Sequence, residues 1–435
     1  MYREFKIKAP ELFKEKVLDW LQPFDTFCFL DSHGYADPYG KWDWVAAAGV
    51  ASRIHAMSTD EVTSQLADLD QTLTAKGKWW FGHLSFGLQT TFQRVESPYQ
   101  DALEFSPFSF FSPAYLIACK GGTVFVEAAD PQELFNKIQD LFLVGQASEP
   151  RFTVGPLQQR VSRPSYVEII DKIKQHIQQG DCYEMNYCQE FFSDTAMVDP
   201  MFLYRQFMKI SPAPFSAFYR LGARWVLSAS PERFLCKRGT RLISQPIKGT
   251  ARRDLQQREA DELIKEHLRS SEKERAENVM IVDLVRNDLS RICKAGTVVV
   301  EELFGVYSFP QVHQMISTVS GELPSSVSFS EILKATFPMG SMTGAPKKRV
   351  LELTAQIELA ARGLYSGSIG YIDPAGDFDF NVVIRSLLYH SEKNYLSFQV
   401  GGGITINSDP EKEWEECLVK AAGLLKLLGQ RISFE

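Results

Sequence analysis

The stretch Tyr395-Leu-Ser-Phe-Gln-Val-Gly-Gly-Gly403 is typical of a strand that leads into a glycine-rich turn. Its first six residues include aromatic and β-branched side chains that favour strands. The three glycines present backbone N–H groups that no Cβ shields. Ser408-Asp-Pro-Glu411 follows with the spacing of a capping box, so a helix is predicted to begin near Ser408. Apolar residues between Trp414 and Leu428 then repeat at the 3.6-residue period of a helix.

A polar stripe runs beside that apolar stripe. Glu413, Glu416 and Lys420 stand three and four residues apart, so their side chains share one face of the predicted helix. Two acids and one base beside a buried stripe indicate a helix that faces a site.

Strand-like and helical segments alternate through the rest of the chain. Phe27–Leu30, Thr123–Val126 and Thr297–Val300 are predicted strands, and Pro164–Gln179 is a predicted helix closed by Gly180. Gly and Pro residues between 143 and 159 mark the best internal boundary. We therefore predict an N-terminal subdomain over 1–150 and a main region over 151–435, joined in one compact body.

Composition excludes several classes of protein. The 435 residues carry a net charge of -7, which argues against nucleic acid as the main partner. Seven scattered cysteines without a CxxC pair favour reduced thiols over disulfides or a zinc site. There is neither an apolar leader nor a run long enough to span a membrane, so a cytoplasmic protein without membrane contact is expected.

An acidic helix is predicted over 271–288, with Glu274 and Glu277 on one face. One interpretation is a charged first turn that complements the helix dipole. The other is a magnesium site in which each of two helices supplies carboxylates and an anionic substrate supplies further oxygens. The spacing permits both.

Gly340-Ser-Met-Thr-Gly-Ala-Pro-Lys347 is a second glycine-rich segment. It either forms a tight turn or holds a carboxylate, and it lacks the spacing of a nucleotide-binding phosphate loop. Of the seven histidines only His313 lies in a segment that resembles a site.

Lys248 in Gln245-Pro-Ile-Lys-Gly-Thr250 lies sixteen residues after Glu232. A lysine in such a loop is either a solvated cation or a nucleophile. With an ordinary pKa near 10.4, only about one lysine in 2,500 carries a neutral amine at pH 7. A nucleophilic role therefore requires that burial or nearby positive charge lower its pKa.

Seven motifs in a fixed order resemble the chorismate-utilising enzymes: Ser230-Pro-Glu-Arg-Phe, Pro246-Ile-Lys-Gly-Thr, the acidic helix from Ala276, Gly340-Ser-Met-Thr-Gly-Ala-Pro-Lys, Tyr365-Ser-Gly-Ser-Ile-Gly-Tyr, Ile384-Arg and Gly401-Gly-Gly. The resemblance covers essentially the whole chain and is densest from about Val161 onward. It implies an α+β fold of two large, mainly antiparallel sheets packed as a sandwich with flanking helices.

The resemblance also implies a reaction. Anthranilate and isochorismate synthases carry alanine where this chain has Lys248, whereas members that form 4-amino-4-deoxychorismate carry lysine. The Lys248 amine is therefore expected to attack C2 of chorismate, and ammonia to add at C4, with Glu232 as acid/base and His313 near the ring. The alternatives are an anthranilate synthase component I and a non-catalytic chorismate-binding subunit.

Further site residues follow from the same resemblance. Glu277 and Glu416 are expected to bind Mg2+, with Glu274 and Glu413 in support. The expected chorismate-binding residues are Gly249, Thr250, Thr343, Tyr365, Arg385, Gly401, Gly402, Gly403 and Lys420. Arg385 suits this role because its planar fork grips a carboxylate with two hydrogen bonds. Ammonia is expected from a glutamine amidotransferase subunit, since the chain has no nucleophile-elbow cysteine of its own.

Two positions depart from the family pattern. Glu184 stands where members that form 4-amino-4-deoxychorismate usually carry glutamine and isochorismate synthases carry a lysine that activates water. The resemblance also implies a tryptophan pocket at Ser32, Pro212, Ala213 and Pro214. Its motif begins with Ser211 instead of asparagine, which leaves a bound tryptophan and a vacant pocket as alternatives.

Overall fold

A computed structural model describes residues 1–75, 77–142, 152–309 and 312–430. The strands are β1 Tyr2–Lys6, β2 Thr26–Asp31, β3 Trp44–Ala56, β4 Trp80–Leu84, β5 Phe108–Lys120, β6 Thr123–Glu127, β7 Gln158–Gln159, β8 Glu184–Ser193, β9 Ser216–Leu221, β10 Arg224–Ser228, β11 Arg233–Arg238, β12 Arg241–Gln245, β13 Ile247–Arg252, β14 Val299–Ser308, β15 Val312–Glu322, β16 Gly344–Ala345, β17 Ser368–Ile372, β18 Phe378–Asn381, β19 Ser386–His390 and β20 Tyr395–Ile404. The helices are α1 Pro10–Leu21, α2 Val62–Ala75, α3 Gln89–Gln93, α4 Pro131–Gln139, α5 Arg163–Gln178, α6 Pro200–Ile210, α7 Arg258–Ser270, α8 Glu272–Ser290, α9 Phe329–Thr336, α10 Lys347–Ile357 and α11 Pro410–Leu427.

The strands form two antiparallel sheets that share the long paired strands β3 and β5. The first sheet has the order β1-β6-β5-β3-β2-β9-β10-β19-β20-β8. The second sheet has the order β5-β4-β17-β18-β11-β12-β15, with β14 on the far edge of β15. The N-terminal half of β5 pairs with β4 and its C-terminal half with β6, so one strand divides between the two sheets.

The sheets face one another across a buried core. His83 in β4 of the second sheet contacts Tyr219 in β9 of the first, with 3.0 Å between Nδ1 and the hydroxyl oxygen. Side chains of β2 alternate as a pleated strand requires. Cys28 packs into the cluster that joins both sheets, whereas Phe27 and Phe29 pack into the cluster formed with α1, α5, α6 and α11. The predicted α+β architecture with two antiparallel sheets and flanking helices is confirmed.

Strands from both halves of the chain pair directly. β2 pairs with β9, and β4 pairs with β17. The predicted boundary falls largely in 143–151, outside the described residues, so the division at 150 stays a prediction.

Local predictions had mixed outcomes. The strands predicted at Phe27–Leu30 and Thr123–Val126 are confirmed as β2 and β6, while the strand predicted at Thr297 begins two residues later. The helix predicted from Ser408 is capped by Asp409, whose side chain accepts hydrogen bonds from the N–H groups of residues 411 and 412. Ser408 instead accepts a hydrogen bond from the Thr405 N–H.

The three glycines of 401–403 also differ from the prediction. They do not form a turn, since they lie inside β20 and pair with β8. Within the described ranges, no helix has the length and apolar character needed to cross a membrane.

Candidate active site

A cavity of about 220 Å3 lies where β13, β20, α8 and α11 meet. Most of the predicted site residues line it: Glu232, Lys248, Gly249, Thr250, Glu274, Glu277, Tyr365, Arg385, Gly401, Gly403, Glu413, Glu416 and Lys420. These residues are spread over almost 190 positions of the sequence, so the fold assembles one site from distant segments.

Lys248 reaches the cavity from an irregular strand. Ile247 lies opposite Ile316 and Thr250 opposite Gln314, so three steps along β13 match two along β15. The extra residue makes a β-bulge, in which Gly249 adopts a φ of +99° that side-chain-bearing residues rarely take. Bulges change the direction of neighbouring side chains, which explains why a glycine follows the lysine.

Lys248 is paired with Glu184 from β8. Its ammonium group donates a hydrogen bond to Glu184 Oε1, and the two side chains are buried, with residue exposures of 9% and 1%. The other carboxylate oxygen of Glu184 is buried and has no hydrogen-bond partner in the described structure. The residue that departs from the family pattern therefore contacts the candidate nucleophile directly.

The charges around Lys248 favour its ammonium form over the neutral amine. Burial lowers the pKa of Lys248, but the carboxylates of Glu184, Glu277 and Glu416 outweigh burial and hold the pKa above its ordinary value. The ammonium form of Lys248 is thus favoured at neutral pH. Attack on a substrate requires that this proton be removed.

Glu232 is suited to move a proton at neutral pH. It follows β10, where its N–H donates to the Ser230 hydroxyl at 3.2 Å and its carbonyl accepts from the Val382 N–H at 3.0 Å. Burial raises the pKa of its carboxyl group to about 7, although Lys248 and Arg385 pull in the opposite direction. An acid whose pKa lies near the working pH is an efficient proton donor and acceptor.

Arg385 supplies positive charge on the same side of the cavity. Its backbone has a φ of +48°, and its guanidinium has no ion-pair partner in the described ranges. Burial lowers its pKa to about 10, with the nearby Glu232 acting against that shift. A half-buried guanidinium without an ion-pair partner in the described ranges can bind an anionic group.

Four carboxylates project from two helices. Glu274 and Glu277 come from α8, and Glu413 and Glu416 come from α11. Two ammonium groups accompany them: Lys420 Nζ lies 2.7 Å from Glu416, and Lys273 Nζ lies 3.8 Å from Glu277.

The pKa values of three of these carboxylates are raised, mainly because the side chains are buried. Burial, assisted by the charges of Glu184 and Glu274, raises the pKa of Glu277 to about 7. Burial also raises the pKa of Glu274 and of Glu413, whereas the Lys420 ammonium lowers that of Glu416.

The four carboxylates of α8 and α11 fit a metal site only in part. Among the described residues, no three His, Cys, Asp or Glu side chains are grouped closely enough to hold a metal ion. Mg2+ commonly takes one or two carboxylates, several waters and substrate oxygens, so the pair Glu277 and Glu416 suffices chemically. Glu277 Oε1 is buried without a hydrogen-bond partner in the described structure and lies 3.8 Å from Lys273 Nζ, so it is an oxygen that a cation can approach.

His313 is not brought to the cavity. It lies on β15, where its Nε2 is 3.0 Å from Asp261 and its Nδ1 is 2.9 Å from the Ser308 hydroxyl. Because side chains alternate along a strand, its neighbours Val312 and Gln314 face the cavity instead. Gln314 has a buried side-chain oxygen without a hydrogen-bond partner. Sequence analysis missed it, although the period-2 pattern of a buried strand was the available signal.

Two other predicted residues lie behind the cavity wall. The Thr343 hydroxyl donates to backbone carbonyls of residues 339 and 340, so it stabilises the turn. Gly402 does not line the cavity, but a Cβ there would come within 3.1 Å of Glu413. Lining residues that the sequence did not single out include Asn186, Ser341 and Gln399.

A second, smaller cavity of about 70 Å3 lies at the predicted tryptophan pocket. Ser32 and Pro214 line it, together with Trp42, Trp44 and Phe215. Pro212 and Ala213 do not line it. The Ala213 carbonyl accepts a 2.8 Å hydrogen bond from Ser216, and the Pro212 carbonyl accepts a 3.5 Å hydrogen bond from Tyr35.

Known proteins resemble this chain at the level of both sequence and fold. The chain is 40% identical over 271 residues to aminodeoxychorismate synthase component 1 of Escherichia coli (strain K12), across 62% of this chain and 59% of that protein. It is 33% identical over 353 residues to an anthranilate synthase component I-like protein of Synechocystis sp., across 80% of this chain and 72% of that protein.

A solved structure shares the fold. Anthranilate synthase component I from Streptococcus pneumoniae TIGR4 superposes with a TM-score of 0.77 at 21% identity, covering 91% of this chain and 93% of that one. The family described as chorismate binding enzyme matches residues 28–426, which include every residue placed around the cavity. The chain therefore belongs to the chorismate binding enzyme family.

Proposed function

We propose that the chain acts as an aminodeoxychorismate synthase component I, which converts chorismate and ammonia into 4-amino-4-deoxychorismate. The observation that carries the proposal is the Lys248 amine, buried in the cavity that also holds Glu232 and Arg385. The chain spans about three fifths of the E. coli relative that bears this name, at 59% of its length.

The proposed reaction has two displacements. The neutral Lys248 amine forms a bond to C2, the ring double bond shifts, and the C4 hydroxyl leaves as water with a proton from Glu232. Ammonia then forms a bond to C4, the double bond shifts back, and the Lys248 amine leaves C2. Glu232 recovers its proton from the new ammonium group.

The surrounding residues orient the substrate. Arg385 has free donors for a carboxylate of chorismate, and Lys420 places a second cation at the cavity. The buried Tyr365 hydroxyl stays protonated, because burial raises its pKa well above the ordinary value. The Thr250 backbone and the bulge at Gly249 complete the wall from which the amine projects.

Glu277 and Glu416 are the proposed residues for Mg2+, with Glu274 and Glu413 beside them. Bound there, the ion would neutralise a substrate carboxylate. The same charge would remove the effect of two carboxylates that hold the Lys248 pKa high.

The ammonia source is proposed to be a glutamine amidotransferase subunit. The E. coli relative is named a component 1, which implies a second component in that protein. The product, 4-amino-4-deoxychorismate, is proposed to supply the synthesis of 4-aminobenzoate and folate. A bound tryptophan at Ser32 and Pro214 is part of the proposal, since both residues line a cavity apart from the main one, together with Trp42, Trp44 and Phe215.

An anthranilate synthase is the second candidate, because the Synechocystis relative carries that name. It is disfavoured by Lys248, whose amine would occupy the position from which ammonia must approach C2. A non-catalytic binding subunit is disfavoured by the joint presence of Lys248, Glu232, Glu277 and Glu416 in one cavity.

One assay separates these candidates. The purified chain is incubated with chorismate, Mg2+ and an ammonium salt, and the product is trapped by a lyase as 4-aminobenzoate. Formation of 4-aminobenzoate supports the proposal. Anthranilate as the main product contradicts it, and absence of turnover with any nucleophile favours the binding subunit.

A further inference from the structure

We propose that Glu184 accepts the ammonium proton of Lys248 and so generates the neutral amine that attacks the substrate. This inference rests on the proposed function, because it assigns the base for the first covalent step. It also gives a role to the residue at which the chain departs from its family's pattern.

The side chains of Glu184 and Lys248 are in direct contact. Glu184 Oε1 accepts a hydrogen bond from Lys248 Nζ, so the proton already lies between donor and acceptor. No other carboxylate among the described residues forms an ion pair with Lys248. The second oxygen of Glu184 has no partner, so nothing else in the described structure holds this carboxylate.

The backbone at Gly403 leaves little space around the Lys248–Glu184 pair. Gly403 in β20 lies against both groups, and a Cβ there would overlap with Lys248 Nζ and with Glu184 Oε1. The pair therefore lies between β13, β8 and β20, where a Cβ on residue 403 would fit only if the Lys248 or the Glu184 side chain shifted. A proton acceptor needs this kind of fixed, short contact more than a merely neutralising charge does.

The other charged groups that face the pair are less suited to accept the Lys248 proton. These are Glu232, Glu274, Glu277, Glu416 and Lys420. Glu232 is reserved as the acid for the leaving hydroxyl. Glu416 is held by Lys420 at 2.7 Å, and Glu277 and Glu274 lie near Lys273, so each of these acids has a different cation.

Substrate binding favours the transfer of a proton from Lys248 to Glu184. Two buried charges cost desolvation energy, and this cost rises when a ligand expels the remaining water. Moving one proton from Lys248 to Glu184 converts the ion pair into a neutral amine and a carboxylic acid, which removes that cost.

The protons balance over the cycle. Glu184 takes one proton from Lys248, and Nζ then bonds to C2 while Glu232 protonates the departing hydroxyl. Ammonia displaces Nζ as a neutral amine, and the new C4 ammonium returns a proton to Glu232. Glu184 finally gives its proton back to Lys248, so the net change is chorismate and ammonia to product and water.

The test measures formation of the covalent adduct without ammonia. The protein is mixed with chorismate and Mg2+, quenched at intervals, and weighed by intact mass spectrometry for a gain of chorismate less one water. Wild type is compared with Glu184→Gln and Glu184→Asp between about pH 6 and pH 9. Thermal melts establish that each variant is folded.

We expect Glu184→Gln to slow adduct formation by about 100-fold at pH 7, the usual contribution of a proton acceptor. Its rate should then rise about tenfold per pH unit, because the amine must lose its proton to solvent. Glu184→Asp keeps the carboxylate and should be slowed less, without that slope. Should Glu184→Gln not fold, the missing slope and partial rate of Glu184→Asp decide the question.

Glu190→Gln is the matched control. Glu190 is a buried glutamate on the same strand, paired with Arg160 at 2.8 Å and absent from the cavity lining. A Glu184→Gln rate equal to wild type, or reduced by the same factor at every pH, would overturn the inference and leave the proposed function intact. Product formation by wild type without any detectable adduct would overturn the covalent route itself.

Discussion

Gly403 in β20 lies so close to Lys248 in β13 that a methyl group on its Cα would overlap with the lysine amine. A glycine inside a strand usually weakens it, since the residue adds backbone entropy and no packing. Here the missing side chain makes room for the candidate nucleophile. The relationship explains why a glycine occupies position 403 of the strand.

Gly403→Ala should therefore lower activity at least about 100-fold, since a displacement of about 1 Å at a reacting group costs that much. The measurement is steady-state formation of 4-aminobenzoate in the lyase-coupled assay. Gly423→Ala is the control, because Gly423 lies in α11 with open space around its Cα. Alanine there should keep activity and stabilise the helix by about 1 kcal/mol. Equal activity of both variants would contradict the close approach.

Glu232→Gln should lower kcat by about 100-fold or more, as expected when a general acid is removed. In the wild type, the carboxyl group with its pKa of about 7 must be protonated to assist the leaving hydroxyl. The value of kcat/KM should therefore fall as pH rises above about 7. The variant should lose this falling limb. Glu104→Gln, at an exposed residue, should change neither the rate nor the profile.

Magnesium should stabilise the protein more strongly as pH rises. Burial raises the pKa of Glu277 to about 7 from an ordinary 4.5. The stability that its protonated form contributes is thus fully present below about pH 4.5 and is lost as pH rises through 7. Mg2+ binds the ionised form, so the increase in melting temperature on adding Mg2+ should be larger at about pH 8 than at about pH 5.5.

Glu277→Gln should abolish most of that magnesium effect. The matched control is Glu272→Gln, at an exposed acid in the first turn of the same helix. Differential scanning fluorimetry with and without Mg2+ measures both variants. An equal magnesium response in Glu277→Gln and wild type would exclude Glu277 as a ligand.

Lys248→Ala should remove adduct formation and lower 4-aminobenzoate production by at least about 1,000-fold, within the range seen when a nucleophile is deleted. Coupled product assays and intact mass spectra measure the two effects. Lys237→Ala removes a lysine that pairs with Asp377 at 3.3 Å, outside the cavity, and should leave both unchanged. Unaltered product and rate in Lys248→Ala would show that no covalent step occurs.

Neighbouring residues of β15 should behave differently. Gln314→Leu places an apolar group in the cavity wall and should lower kcat/KM, because a buried acceptor that faces the substrate is lost. His313→Gln should mainly lower the melting temperature, since it weakens the contacts with Asp261 and Ser308. A lower kcat/KM in His313→Gln, together with a lower melting temperature in Gln314→Leu, would instead place His313 in the active site.

Much of the site was accessible from sequence because family motifs mark it. Lys248, Glu232, Arg385 and Glu277 lie in those motifs, Glu274, Glu413 and Glu416 followed from the family resemblance outside them, and all seven line one cavity. The fold followed from the same resemblance. Periodicity alone predicted strands and helices but not that β5 divides between two sheets.

Other features depended on tertiary contacts that a sequence does not display. The partner of Lys248 lies 64 residues earlier, on a different strand. His313 and Gln314 differ by one residue, yet the pleat turns one toward Asp261 and the other toward the cavity. The cap at Asp409 was missed because Ser408 fits the motif equally well, and only the backbone geometry selects between them.

The divided strand β5 has a mechanical consequence. Its two halves are hydrogen-bonded to different sheets, so neither sheet can separate without breaking ladders that belong to the other. The cavity, fixed by strands of both, should then persist until the whole body melts in one cooperative transition. An N-terminal deletion through β5 would release the walls around Lys248, although no described residue of that segment lines the cavity.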